Sequence, residues 1–227
     1  MKKNIQIDIV SDVVCPWCYI GEERLRKTTE MLKDEYEFTI TYHPFELNPH
    51  VPDEGLDAKA YFTEKFGSAQ RMEQIFAQTT ATAKAEGLEF DLSAQSIAPN
   101  TFNAHRLIAL AKTEGKQAAA AHAFFKAYFA EGKNLSEKET LLDIMRSVGI
   151  DESKVDAVLN SNEYEEDVLQ AEKLWQSRGI SSVPSFIINN MYLVQGAQPP
   201  EAFKEVFEQL HPVVTDAPGC EGDNCVI

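Results

Sequence analysis

The sequence predicts an α/β fold on three observations. Residues 4–10 alternate so that Ile5, Ile7 and Ile9 share one face, and a helix pattern and a second strand pattern follow. Residues 179–211 return to strand character, with a hairpin and then a helix. Between them Val, Ile and Thr thin out and helix formers take over. The order is β-α-β, a long helical block, then β-β-α. The simplest assembly joins the outer segments into one four-stranded sheet, with the block as an insertion over one face. The expected domains are 1–52 plus 179–211, an all-helical insertion at 53–178, and a flexible tail at 212–227.

The elements follow in order. After the first strand, Ser11-Asp12 links to Val13-Val14-Cys15-Pro16-Trp17-Cys18, and a helix runs through Leu25 to Lys33. Pro16 suits its first turn, where no backbone N–H is needed. Residues 36–47 form the second strand, with Tyr36, Phe38, Ile40 and Tyr42 on one face and Asn48-Pro49 as its stop. In the block, Phe62, Phe66, Met72, Ile75 and Phe76 recur at helical spacing. Pro99 opens a helix containing Phe102 and Leu107, and residues 116–131 are Ala-rich. Ser136 to Glu139 and Asn162 to Glu165 read as capping boxes, and Asp151 as a further cap. Tyr164, Val168, Ala171 and Trp175 make an apolar stripe, so Tyr164 and Trp175 are expected in the core. Val183 to Ile188 and Met191 to Val194 flank Asn189-Asn190, a hairpin whose turn asks for positive φ. Pro199-Pro200 starts the last helix.

Composition narrows the function. With 21 Lys+Arg against 36 Asp+Glu, the net charge of −15 repels nucleic acid and anionic membrane surfaces. No apolar run is long enough to span a bilayer, and the opening Met1-Lys2-Lys3 is followed by a strand pattern instead of a signal-peptide core. The expected location is therefore the cytosol. Four cysteines in 227 residues are too few for a disulfide scaffold. They fall in two pairs, Cys15/Cys18 and Cys220/Cys225, which suggests redox or metal chemistry.

Cys15-Pro16-Trp17-Cys18 sits between a strand and a helix, at the helix N-terminus. Unpaired N–H groups and the positive end of the helix dipole favour a thiolate at Cys15. Cys18, three residues on, lies on the same face within disulfide reach. One sulfur can attack and the other resolve the mixed disulfide. The competing readings are a zinc half-site and two buried thiols. The other cysteine pair has a different spacing and no His has finger-like spacing, so no metal site is assigned. His105 and His122 lack a second ligand at helical spacing and are expected to be satisfied or exposed. The acidic runs Glu22/Glu23 and Glu163 to Asp167 read as solvated faces. Trp17 either docks apolar substrate segments or packs over the insertion.

Together these residues carry a resemblance. Ser11 to Gly21, His43 to Pro49, Asn100 to Leu107, Gly179 to Phe186 and Gly196-Ala197-Gln198 resemble, in order, the FrnE-like branch of the DsbA family. The resemblance implies a thioredoxin-like fold with a helical insertion, and an enzyme of dithiol–disulfide exchange that oxidises, reduces or isomerises protein disulfides without a cofactor. It implies Cys15 as exposed nucleophile, Cys18 as resolving thiol and a cis Pro184 beside them. Pro16, Trp17 and Val183 would then meet the substrate. Partners would be protein dithiols or disulfides and a thiol reductant or oxidant, with glutathione a candidate. A C-terminal C-x4-C occurs in some members, so Cys220/Cys225 is either a second redox pair or a pair of incidental thiols. This chain departs from the pattern at its start, where the export signal of periplasmic members is not expected, and on the first strand. Related proteins often carry a buried acid on the first strand beneath the cysteines, where Ile9 stands here, and neither Asp8 nor Asp12 is assigned that role. Two alternatives remain: a glutathione-dependent isomerase or transferase of small molecules on the same scaffold, and a non-catalytic redox-sensing module.

Overall fold

The computed structural model describes residues 2–210; Cys220 and Cys225 lie outside the described residues. Strand β1 (Lys3–Ser11) is central. It pairs in parallel with β2 (Tyr36–Pro44) and antiparallel with β5 (Ser185–Ile188), which pairs antiparallel with β6 (Tyr192–Gln195). The order β2-β1-β5-β6 is the expected four-stranded sheet assembled from the two ends of the chain. The hairpin turn places both Asn189 and Asn190 at positive φ, as their sequence predicts.

Both faces of β1 are covered, so its buried residues run continuously from Ile7 instead of alternating. On one face Ile5, Ile7, Ile9 and Phe186 join the main core, closed by α1 (Pro16–Met31) and α9 (Pro200–Leu210). Phe186 meets Phe203 of α9 edge-on at 4.9 Å. On the other face Val10 packs with Trp175 of α8 (Glu165–Ser177) and Ile180. The exposed edge of β2 is occupied by Gln117, which both donates to and accepts from the Tyr42 backbone at 2.9 and 3.1 Å.

The insertion comprises α2 (Ala58–Phe66), α3 (Ala69–Ala85), α4 (Phe102–Thr113), α5 (Gln117–Phe129), α6 (Lys138–Ser147), α7 (Glu152–Leu159) and α8. It is not purely helical: β3 (Leu56–Asp57) and β4 (Ile97–Ala98) form a two-stranded ribbon that pins the start of α2. Tyr19 of α1 stacks on Phe125 of α5 at 5.2 Å, and Phe90 on Phe129 at 4.6 Å, so aromatic packing joins insertion to sheet domain.

Several local expectations are corrected. The helix after Pro99 starts only at Phe102, because the Asn100 carboxamide turns the chain first, accepting from the Phe102 N–H. Neither capping box forms. Asn134 accepts the Ser136 N–H at 2.9 Å, a donor the first box would have used; at the second, Ser161 accepts the Glu163 N–H at 3.1 Å and the Glu165 N–H goes to the Asn162 carbonyl. Tyr164 consequently precedes α8 in a left-handed conformation and is half-buried, whereas Trp175 is core. Asp151 does cap α7, accepting from Ser153 at 2.8 Å. Glu22 and Glu23 are buried, not solvated, because α5 lies against that side of α1. Glu22 accepts from the Tyr42 hydroxyl at 2.6 Å, and Glu23 is held by Arg26 at 2.7 Å. Gly21 sits where any Cβ would press on Phe186 and Pro184, at 3.1 and 3.2 Å.

Candidate active site

β1 ends at Ser11, and three residues later the chain enters α1 with Cys15 as its N-cap and Pro16 at the first helical position. The Cys15 N–H donates to the Asp12 carbonyl at 3.0 Å, and the Cys15 carbonyl accepts from Cys18 at 3.0 Å. These bonds close the turn that places Cys15 and Cys18 on one side of the first helical turn. Both thiols are free and buried, and neither is in a disulfide. Burial pushes the Cys18 thiol well above its ordinary range; the neighbouring Cys15 adds to this, while a backbone hydrogen bond from Asp12 opposes it.

The Val183–Pro184 peptide is cis, and the Val183 carbonyl lies 3.8 Å from Cys15 Sγ, accepting from it. The loop before β5 therefore meets the first turn of α1, joining two segments distant in sequence. Cys15 itself is buried, with only 4% of its surface exposed, which corrects the exposed nucleophile implied by the family resemblance. The cause is the insertion. Phe62 and Phe66 of α2, Ile75 and Phe76 of α3 and Tyr128 of α5 roof a cleft of about 310 Å³ whose floor includes Cys15, Pro16 and Val183. Trp17 is 41% exposed and lines the same cleft, so it lies at the mouth and not in the core. Leu47, Asn48 and Lys65 complete the rim.

Behind the dithiol the surroundings change from apolar to charged. The Asp12 carboxylate, fully buried, accepts from the Leu47 N–H at 2.8 Å and lies 3.4 Å from Nε2 of the buried His105 of α4. Glu172 of α8 accepts from the Glu46 N–H at 2.8 Å. Burial, then the nearby Glu172 charge, push Glu46 up to about 7, and burial raises Glu172. Burial pulls His105 down, but Asp12, Glu46 and Glu172 outweigh it and hold it above its ordinary value. Among the described residues, no three His, Cys, Asp or Glu side chains converge to hold a metal ion.

This cluster was missed in the sequence, where His105 reads as a satisfied or exposed histidine. In the folded chain its Nε2 has no well-formed hydrogen bond among the described residues. The signal available was the Asn100 to Leu107 segment. Its other members are structural: Asn100 donates to the Val51 carbonyl at 2.8 Å, and the buried Arg106 guanidinium donates to the carbonyls of Val158, Ser161 and Glu163. No helix among the described residues is long and apolar enough to cross a membrane.

Comparison with known proteins agrees with this geometry. The profile of the DsbA-like thioredoxin domain matches residues 6–208. A probable DsbA oxidoreductase of Streptomyces coelicolor superposes with a TM-score of 0.85 at 30% identity, covering 98% of this chain and 99% of that one. The uncharacterised protein YwbO of Bacillus subtilis is 26% identical over 209 residues, 91% of this chain and 95% of that protein. The cytosolic disulfide reductase DsbM of Pseudomonas aeruginosa, in a structure with GSH, shares the fold. Its TM-score is 0.62 at 17% identity, covering 90% of this chain and 98% of that one.

Proposed function

The chain belongs to the family of DsbA-like thioredoxin domains, and from that premise we propose that it exchanges protein disulfides through Cys15 and Cys18. The observation that carries the reading is the pair of free thiols at the N-terminus of α1, Cys15 at the N-cap and Cys18 in the first turn, with the Val183 carbonyl against Cys15. The burial that raises Cys18 keeps the second sulfur protonated until it is needed.

In the reductive direction the Cys15 thiolate attacks a substrate disulfide. One substrate sulfur leaves with the electron pair of the broken S–S bond, and the other joins Cys15. Cys18 then loses its proton and attacks Cys15 Sγ, forming the Cys15–Cys18 disulfide and releasing the second substrate thiolate. The protein is oxidised by two electrons and the substrate reduced by two; a thiol partner restores the dithiol. In the oxidative direction the same steps run backwards. Pro16, Trp17 and Val183 border the cleft where the incoming disulfide must lie, and Pro184 follows the carbonyl that faces Cys15.

Glutathione is the thiol partner we favour, with the cytosol as the setting; the fold shared with a cytosolic reductase solved with GSH supports both. The test is insulin reduction by glutathione, together with disulfide formation in a reduced protein. Wild type should catalyse at least one of them and Cys15→Ser neither. Equal activity of the two proteins would refute the reading.

A further inference from the structure

A second cavity, of about 300 Å³, lies beside the end of β2 and between α4, α5 and the start of α8. It is separate from the dithiol cleft. Val13 lines it, whereas the next residue, Val14, lines the cleft, so successive residues of the β1–α1 loop face different cavities. Its volume falls at the lower end of the roughly 300–1,000 Å³ typical of small-molecule sites. Small side chains make the room. Ala109 of α4, Ala121 of α5 and Ala171 of α8 stand on its three helical walls.

Its polar groups are not those of a packing void. Ser11, on the inner side, is 6% exposed, and its hydroxyl has no hydrogen-bond partner among the described residues. The buried His105 also lines the cavity, and its Nε2 has no well-formed hydrogen bond there either. A buried hydroxyl without a partner costs free energy unless something else supplies one. On the outer side stand two exposed residues of opposite charge, Lys112 of α4 and Asp167 of α8. Among the described residues they pair neither with each other nor with any other group. Opposite charges on separate walls of one cavity that do not meet leave both available to a third molecule. Asp167 would oppose a simple anion and Lys112 a simple cation. A ligand that carries both charges satisfies the two walls together.

We propose that this cavity binds a small zwitterion, an α-amino acid or a dipeptide, away from the dithiol. Its carboxylate goes to Lys112 and its ammonium to Asp167. Its side chain lies among Ala109, Ala121 and Ala171, over the Ser11 hydroxyl. No bond is made or broken there, and the proposal does not depend on the dithiol reading.

The experiment titrates the full-length chain, kept reduced with a phosphine, in a calorimeter. The probes are the protein amino acids one by one, then glycyl-leucine and leucyl-glycine. At least one should bind. Its N-acetyl derivative and its methyl ester should each bind about 10-fold more weakly, since each loses one charge-assisted contact. Lys112→Met should erase the preference over the methyl ester and keep the preference over the N-acetyl form. Asp167→Asn should do the converse. Ala109→Phe fills the cavity and should abolish binding while Cys15 alkylates at the wild-type rate. Should Ala109→Phe fail to fold, Lys112→Met and Asp167→Asn decide, because neither exposed side chain gives up a partner in the described residues. No binding by any probe at millimolar concentration overturns the proposal. So do blocked forms that bind as well as the parent zwitterion, or binding that both charge variants leave unchanged. Each of these results leaves the exchange at Cys15 and Cys18 untouched.

Discussion

The two sides of the dithiol are built from opposite materials. Cys15 looks into a cleft roofed by Phe62, Phe66, Ile75 and Phe76, all supplied by α2 and α3. Cys18 backs onto Asp12, which leads to His105, Glu46 and Glu172, supplied by a loop, by the end of β2 and by α4 and α8. The insertion therefore supplies the apolar cover at the front and two of the four charged groups at the back, His105 and Glu172, which meet Asp12 and Glu46 of the first segment. The difference shows that what covers the first sulfur and what backs the second come largely from different residues, with Tyr128 shared between the cleft lining and the surroundings of Asp12.

The separation can be broken first at the back. Asp12→Ala removes the carboxylate 3.4 Å from the buried His105 and leaves the Leu47 N–H without its acceptor. Breaking a buried charge pair from one side costs about 3–5 kcal/mol, so urea unfolding should show a loss of that size. A loss under about 1 kcal/mol would mean that the pair carries little in the folded chain. At the front, Phe76→Ala removes a half-buried ring that packs on Phe62 at 5.4 Å and on Phe66 at 6.3 Å. It should cost about 2 kcal/mol and speed alkylation of Cys15 by a bulky maleimide. The pH profile of the resolving step should not move; if it did, front and back would be one unit.

Gly21→Ala probes the junction, since the new methyl meets Phe186 and Pro184. Overpacking of this kind costs about 1–3 kcal/mol, read as a fall in Tm, and should slow exchange with both small and protein disulfides. The smallest effect is electrostatic. The Glu46 carboxyl titrates near 7 in the folded chain, above its ordinary value of 4.5, so between these pH values the folded state binds more proton than the unfolded. That group therefore lowers stability as pH rises through this window. Glu46→Gln should raise Tm relative to wild type at pH 8, with the difference vanishing below about pH 4.5.

The sheet was legible because its strands alternate or end in turn residues. Ile5, Ile7 and Ile9, and Asn189-Asn190, were read correctly from spacing and turn chemistry alone. The dithiol was legible because its two cysteines are three residues apart at a strand–helix junction. What sequence reasoning missed depends on tertiary contact. Glu22 and Glu23 look like a solvated run until α5 is laid against α1. The capping boxes at Ser136 and Asn162 were outcompeted by neighbouring turns that only the local backbone decides. Asp12 and His105 lie on different elements of different domains, and nothing in the spacing of either announces the other. Cys15 reads as exposed because the aromatic roof over it belongs to helices whose approach the sequence does not specify.

The most direct measurement is to trap the first covalent intermediate. The Cys18→Ser chain, incubated with glutathione disulfide at pH 7 and digested under acid, should carry one glutathione on the peptide containing Cys15. The same experiment on Cys15→Ser should leave Cys18 unmodified. Label found on Cys18 and absent from Cys15, or on neither, would contradict the assignment of attacking and resolving sulfurs on which the account stands.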